Sequence, residues 1–217
     1  MCASIFDFFE SYIRSHGLFS DADIATIMSL VIPRRLKKKQ YLLRQGSVCR
    51  FHTFVCSGCL RSYRIDEKGN EHIFSLSPAN HWVGDRVSLL THTPSNEFID
   101  ALEDSTVMQF SADSFKMLLK AIPNFEALNT KIITDDCSTS RDRIYMMLSH
   151  QAEERYRQFI RRYPQLHERV PIYMIASYIG VSRETLTRIR SSIISDMNAC
   201  GKFSRAVIPF EAAVAEP

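Results

Sequence analysis

The period of the apolar residues changes twice along this chain, and those two changes limit what it can fold into. From 1 to 31 the spacing is helical: Ile5, Phe8, Phe9, Tyr12 and Ile13 share one face, and Ser20 or Asp21 can cap a second segment bearing Ile24, Ile27 and Met28. From 32 to 110 the apolar residues alternate instead. Short runs such as RSYRI and HIFSL lie between turn signals at Gln45-Gly46, Ser57-Gly58 and Glu67-Lys68-Gly69-Asn70, spaced as in an antiparallel sandwich or roll, with Ser57-Gly58 read as a hairpin turn. Helical period returns at Ser111 in SADSFKMLLKAI, stopped by Pro123, and continues in a polar-rich stretch from about Asn124 to Ser149. An all-β unit flanked by helices makes the fold class α+β.

With 217 residues the chain is long enough for one large domain or two small ones. Lys plus Arg number 27 against 24 Asp plus Glu, and a net charge of +3 is too mild to name a partner unless the basic residues gather on one face. The N-terminal MCASIFDFFESYIRSHG carries acids where a signal peptide needs a positive start and an apolar run, and the six cysteines follow no secreted-domain spacing. A reduced, cytoplasmic setting is expected. No apolar run approaches the ~18 residues of a membrane span, so no membrane partner is expected.

In the stretch from 124 to 149, Phe125, Leu128, Ile132, Ile144, Met147 and Leu148 form an apolar stripe interrupted by TDDCSTSRDR. That is too little apolar face for a monomer core and too much for solvent, which points to self-association. The next segment, AEERYRQFIRRYPQLHERV (152 to 170), is amphipathic, with Tyr156, Phe159 and Ile160 expected inside and Arg155, Arg157, Arg161 and Arg162 outside. Solvated arginines and phosphate-contacting arginines are both compatible with that face.

PIYMIASYIG starts on Pro171, places Ile172, Ile175, Ala176 and Ile179 at helical spacing and ends at Gly180. After Val181, Ser182 can cap a second helix, RETLTRIRSSII, with Leu186, Ile189 and Ile193 on its inner face. Two helices joined by a tight glycine turn, with small Ala176 where they approach, are the signature of a helix-turn-helix. The outer face of the second helix carries Arg183, Glu184, Thr187 and Arg188 near its N-terminus, the end that enters a major groove in this motif. Arginine can hold guanine O6 and N7, glutamate can accept from cytosine N4, and Ser182 and Thr185 can reach phosphate oxygens. An ordinary helical hairpin with a charged solvent face is the competing reading.

IGVSRETLTRIR (179 to 190) is similar to the recognition segment of the Crp/Fnr family of bacterial transcription regulators, and the run from 152 to 190 resembles a branch of that family common in Bacteroidetes. The resemblance implies a cyclic-nucleotide-binding-type β-roll at the N-terminus, a long dimerisation helix and a C-terminal winged-helix-like helix-turn-helix. On that basis residues 1–149 are a sensor domain including the dimerisation helix (about 124–149), and 150–217 are the DNA-binding domain. The implied function is sequence-specific transcription regulation by a homodimer on double-stranded DNA. Base reading falls to Arg183, Glu184 and Arg188, backbone positioning to Ser182 and Thr185, and Thr187 shares the exposed face. RNA polymerase and an unidentified small-molecule effector are further partners the family implies. After Ile194 the family has a glycine-centred β-hairpin wing, for which Gly201-Lys202 is a poor candidate.

In family members that bind cyclic AMP, a glycine-acid pair caps a short helix, the acid takes the ribose hydroxyl and a following arginine clamps the phosphate. Gly84-Asp85 matches the pair, with Asp for the usual Glu. At the arginine position stand Ser95-Asn96, and Arg86 lies at the wrong end of the loop. Neutral groups cannot neutralise a phosphate, which argues against cyclic-AMP binding. Thr139 and Ser140 fall roughly where some members contact the base, and His72, His81, Trp82 and Tyr63 could line the roll's hollow. Some relatives hold an iron–sulfur cluster, and Cys56-Ser57-Gly58-Cys59 has ligand-like spacing, with Cys49 nearby and Cys2, Cys137 or Cys200 as a fourth thiolate. Lacking the N-terminal cysteine run of cluster-binding relatives, the chain reads as using these thiols for packing, with no cofactor and no metal. No phosphate loop, HExxH or nucleophile with its base appears, so no catalytic residue and no enzyme is expected. A sensing or protein-interaction module that has lost DNA binding remains the alternative.

Overall fold

The computed structural model describes residues 4–199, with side chains described to Ile193. Two capped helices open the chain: α1 (Ile5–Ser15) and α2 (Asp21–Leu30) each begin with a serine whose hydroxyl accepts an amide proton three residues on while the N3 aspartate returns to the serine amide.

Eight strands follow, β1 (Ile32–Leu36), β2 (Tyr41–Leu43), β3 (Phe51–Ser57), β4 (Cys59–Ile65), β5 (Glu71–Pro78), β6 (His81–Val83), β7 (Phe98–Ala101) and β8 (Ser105–Ser111). A short helix, α3 (Arg86–Thr91), stands between β6 and β7. The strands form two antiparallel four-stranded sheets, ordered β1-β8-β3-β6 and β2-β7-β4-β5. Their facing sides enclose Leu36, Leu43, Val55, Leu60, Ile99 and Val107.

The turn at Glu67–Asn70 is a true hairpin joining paired β4 and β5, with Asp66 accepting the amide protons of Lys68 and Asn70. Ser57-Gly58 is not. Strands β3 and β4 belong to different sheets, and Gly58 turns the corner between them at φ 89°. A Cβ there would sit 2.7 Å from the Ser105 Cα, so close backbone approach as well as positive φ selects glycine.

Helix α4 (Ala112–Ala121), capped by Ser111, leads into α5 (Pro123–Ser149), 27 residues with Pro123 at its start. At 1.5 Å per residue α5 is about 40 Å long. Its first turns are anchored by buried Phe125 and Leu128 against α1, α2 and α4, whereas Ile144 and Leu148 near its end are exposed. Three helices complete the described chain: α6 (Ala152–Arg162), α7 (Ile172–Ile179) and α8 (Arg183–Ala199). They pack Tyr156, Phe159, Ile175, Ala176, Ile179 and Leu186 against the outer side of the second sheet at Cys59, Tyr63, Ile73 and Leu76. Leu186 is fully enclosed, and truncating such a leucine costs about 2–5 kcal/mol.

Candidate functional site

The α7–α8 pair is set by local chemistry. Gly180 closes α7 in the left-handed region at φ 70°, its N–H donating to the last turn. Ser182 Oγ accepts the Thr185 amide proton at 3.1 Å and donates to Thr185 Oγ1 at 3.0 Å, which starts α8 three residues after α7 stops. Both hydroxyls expected at phosphates are therefore already joined to each other. Leu186 faces the core with Ile189 and Ile193 beside it, while Arg183, Glu184, Thr187 and Arg188 stand exposed together. Among the described residues neither Arg183 nor Arg188 forms an ion pair. Glu184 is held below the usual carboxylate range by its own backbone N–H and by Ser182.

The arginines of α6 do not form one outward face. Arg155 turns in, and its Nη1 donates to Ile179 O at 2.9 Å and Gly180 O at 3.4 Å, because the last carbonyls of α7 lack intrahelical donors. Arg157 pairs with Glu153 at 2.8 Å and Arg161 with Glu154 at 3.4 Å. Arg162 donates to Thr139 Oγ1 at 2.6 Å. Ile160, expected inside, is half-buried.

A cleft of about 470 Å³ opens between the roll and α5, lined by Gly84, Glu97, Asp136, Thr139, Ser140 and Arg143 among others. Trp82 borders it, and His81 borders an adjoining cleft beside Trp82. Tyr63 and His72 lie elsewhere: Tyr63 is buried beside Arg61 and Asp100 on the side facing α6 and α7, and exposed His72 is bonded to Asp66 at 2.9 Å. Burial raises the carboxyls of Glu97 and Asp136, with Arg64 and Arg86 respectively opposing that shift.

The glycine-acid loop is closed on itself. Asp85 Oδ1 accepts the Ser88 amide proton at 3.0 Å, capping α3, and Oδ2 accepts the Ser95 hydroxyl at 2.8 Å. Ser95 is 2% exposed, and its backbone is tied to Gly46 and Ser47 across the loop. Asn96 is exposed, and Arg86 reaches α5 instead, 3.7 Å from Asp136. Of the six residues singled out for an effector, Gly84, Thr139 and Ser140 share the cleft. Asp85 and Ser95 bind each other, and Asn96 faces solvent.

Residues 33–121 match the cyclic nucleotide-binding domain. The fumarate and nitrate reduction regulatory protein of Yersinia pestis is 29% identical over 177 residues, 74% of this chain and 70% of that protein. Further relatives of that name are matched over 65% of their length, so the chain spans about two thirds of the curated relatives. The chain is similar to the Crp/Fnr regulators. The chain shares its fold with FixK2 of Bradyrhizobium japonicum (TM-score 0.66, 16% identity, 81% of this chain and 89% of that one). It shares it also with a CRP/FNR-family transcriptional regulator of Thermus thermophilus (TM-score 0.60, 16% identity, 76% and 87%). The relatives are regulators rather than enzymes.

Within this Crp/Fnr fold the described interior thiols do not converge. Cys49 packs between the sheets, Cys56 with the aromatic cluster around Phe9 and Phe54, and Cys59 with the α6–α8 layer. Burial pushes the thiols of Cys56 and Cys59 up to about 12, the reverse of what a thiolate ligand needs. Cys137 is exposed on α5, and Cys2 and Cys200 lie outside the described residues. The described cysteines do not fit an iron–sulfur cluster, and no group of three or more His, Cys, Asp or Glu suited to a metal occurs among the described residues. No described helix is long and apolar enough to cross a membrane. Helix α8 continues to Ala199, past Ile194 where the family's wing would begin, and Gly201-Lys202 lies outside the described residues.

Proposed function

We propose that this chain is a cytoplasmic, sequence-specific transcription regulator that binds double-stranded DNA as a homodimer. Residues 150–217 form its helix-turn-helix DNA-binding domain and 1–149 its sensor and dimerisation unit. The observation that carries the reading is the first turn and a half of α8: Arg183, Glu184, Thr187 and Arg188 exposed together, beyond a left-handed Gly180 turn, with both arginines free of acidic partners among the described residues. In this reading Arg183, Glu184 and Arg188 read base edges, Thr187 supports them, and Ser182 and Thr185 position the helix on the backbone. The run from 152 to 190 supports placement in the branch common in Bacteroidetes, and RNA polymerase is the partner through which regulation would act.

The one arginine lining the effector cleft, Arg143, is spent on the carbonyls of Ile73 and Phe74, the other charged groups there are the carboxylates Glu97 and Asp136, and Asp85 is spent on Ser88 and Ser95. The cleft's ligand is something other than cyclic AMP, or there is none. The test is a mobility shift on DNA selected from a random pool: Arg183→Ala and Arg188→Ala should each cost roughly 1–3 kcal/mol of specific affinity. Unchanged affinity would remove the role given to α8. A sensing module without DNA binding is the second reading, favoured by the helical continuation of α8 through Ala199. It predicts no salt-dependent DNA binding at all.

A further inference from the structure

The roll has a second hollow, of about 310 Å³, with no residue of α5 in its wall. Strand β1 explains its chemistry. Alternation along a strand puts Arg34 on the same face as Leu36, and Leu36 is 1% exposed between the sheets. The residue paired with Arg34 across the ladder, Val107, is fully buried on that same inner face. Arg34 is half-buried, whereas Arg35, its outward neighbour, is exposed. A guanidinium therefore occupies an inward position of a sandwich.

Arg44 and Arg50, from the connection between β2 and β3, line the same hollow. The Arg44 guanidinium carbon lies 4.0 Å from the centre of the Tyr41 ring, which limits its freedom. The wall also contains Thr53 and Gln109, two polar side chains almost wholly withdrawn from solvent, with Gln109 Nε2 donating to Thr53 Oγ1 at 3.1 Å. No Asp or Glu lines the hollow, and among the described residues none of the three arginines forms an ion pair. Three like charges against an apolar-backed wall repel each other, and an inward cation without a counter-charge is costly unless something neutralises it. The volume lies at the lower end of the range for small-molecule sites.

We propose that this hollow binds a small organic anion carrying at least two negative charges on phosphate or carboxylate oxygens. Arg34 supplies the inner bidentate contact and Arg44 and Arg50 close over the mouth. The site shares only Gly84 with the cleft beside α5, has no residue of α5 in its wall, and does not depend on the DNA-binding reading.

The experiment is thermal unfolding of the full chain against increasing inorganic phosphate, glucose 6-phosphate and citrate, with sodium chloride matching the ionic strength. Binding should appear as a saturable rise in Tm with at least one of the three anions and none with chloride. Glucose 6-phosphate against citrate separates a phosphate ligand from a carboxylate one. Arg34→Met should weaken the apparent affinity at least ten-fold, while Arg35→Met on the outer face leaves it unchanged. If Arg34→Met does not unfold cooperatively, the Arg44→Gln, Arg50→Gln double variant carries the same expectation. The proposal fails if no anion gives a saturable rise, or if Arg35→Met loses as much as the inner variants. Specific DNA affinity of Arg35→Met and Arg34→Met, measured on the same preparations, reports separately on α8.

Discussion

Ser177 Oγ accepts the Ile73 amide proton at 2.9 Å, and so a residue of α7 completes the hydrogen bonding of an edge strand. The same hydroxyl donates to Glu71 O at 3.0 Å. Arg143 of α5 adds Nη donors to the carbonyls of Ile73 and Phe74, and its guanidinium stacks 4.3 Å from the Tyr178 ring. The edge of β5 is thereby covered instead of being left open for another strand. The three elements that must communicate in a ligand-responsive regulator, namely the roll, the long helix and the first helix of the α7–α8 pair, meet on Glu71, Ile73 and Phe74 of one strand.

Ser177→Ala should leave the Ile73 N–H and the Glu71 carbonyl without partners under α7. The expected loss is about 1–3 kcal/mol, read from urea unfolding. Exchange of the Ile73 amide should accelerate about ten-fold or more in the native protein, since ten-fold corresponds to about 1.4 kcal/mol. An unchanged exchange rate at Ile73 would show that this contact does not hold α7 to the sheet.

Acid should weaken the fold through His52. Burial against Phe115, whose ring lies 3.7 Å from it centre to centre, and the positive charge of Arg86 lower its pKa to about 4 from an ordinary 6.5. The folded state thus binds fewer protons than the unfolded chain between those values. The contribution is fully present above about pH 6.5 and is lost as pH falls towards 4. Discounted for partial exposure it amounts to about 2 kcal/mol. Chemical denaturation from pH 7.5 to 4 should show this slope, and His52→Phe should flatten it. A variant with the wild-type slope would assign the acid sensitivity to other groups.

Much of this architecture is written locally. The serine caps at 20, 111 and 182 and the Gly180 turn act within a few residues, and the two changes of apolar period fall where the strands begin and end. What escapes the sequence is set by partners far along the chain. Ser57-Gly58 carries the same signal as a hairpin, but it becomes a corner because β3 finds β8, some fifty residues later. Arg155 sits at an outward position of an amphipathic pattern and turns in because the end of α7 arrives 24 residues on with unbonded carbonyls. Asp85 has the right neighbour for a sugar contact, and its bond to Ser95 depends on how the loop closes. Arg34 breaks the inner alternation of β1 and shows its meaning only once Arg44 and Arg50 are seen around the same hollow.

The cysteines should separate cleanly by reactivity. At pH 8 a thiol with its pKa raised to about 12 is ionised in roughly one molecule in ten thousand, and Cys56 and Cys59 are also shielded by packing. Brief iodoacetamide treatment of the native protein, followed by peptide mapping, should label exposed Cys137 and spare Cys49, Cys56 and Cys59 until denaturant is added. Early labelling of Cys56 or Cys59 would mean that the corner between the sheets opens readily.

The end of α5 supplies the last prediction. Ile144 is 58% exposed and Leu148 84% exposed, one turn apart on a helix whose opposite end is firmly packed. Burying such a side chain contributes roughly 1.5–3 kcal/mol, so two residues from each of two copies contribute about 6–12 kcal/mol before the costs of association. On the proposed homodimer, the wild type should run as a dimer in light scattering at micromolar concentration and a double Ile144→Glu, Leu148→Glu variant as a monomer. Because neither side chain is enclosed within one chain, circular dichroism of the variant should stay that of a folded protein. Its affinity for a two-half-site DNA should fall to that for a single half-site. Persistence of the dimer would place the self-association surface elsewhere than on this face of α5.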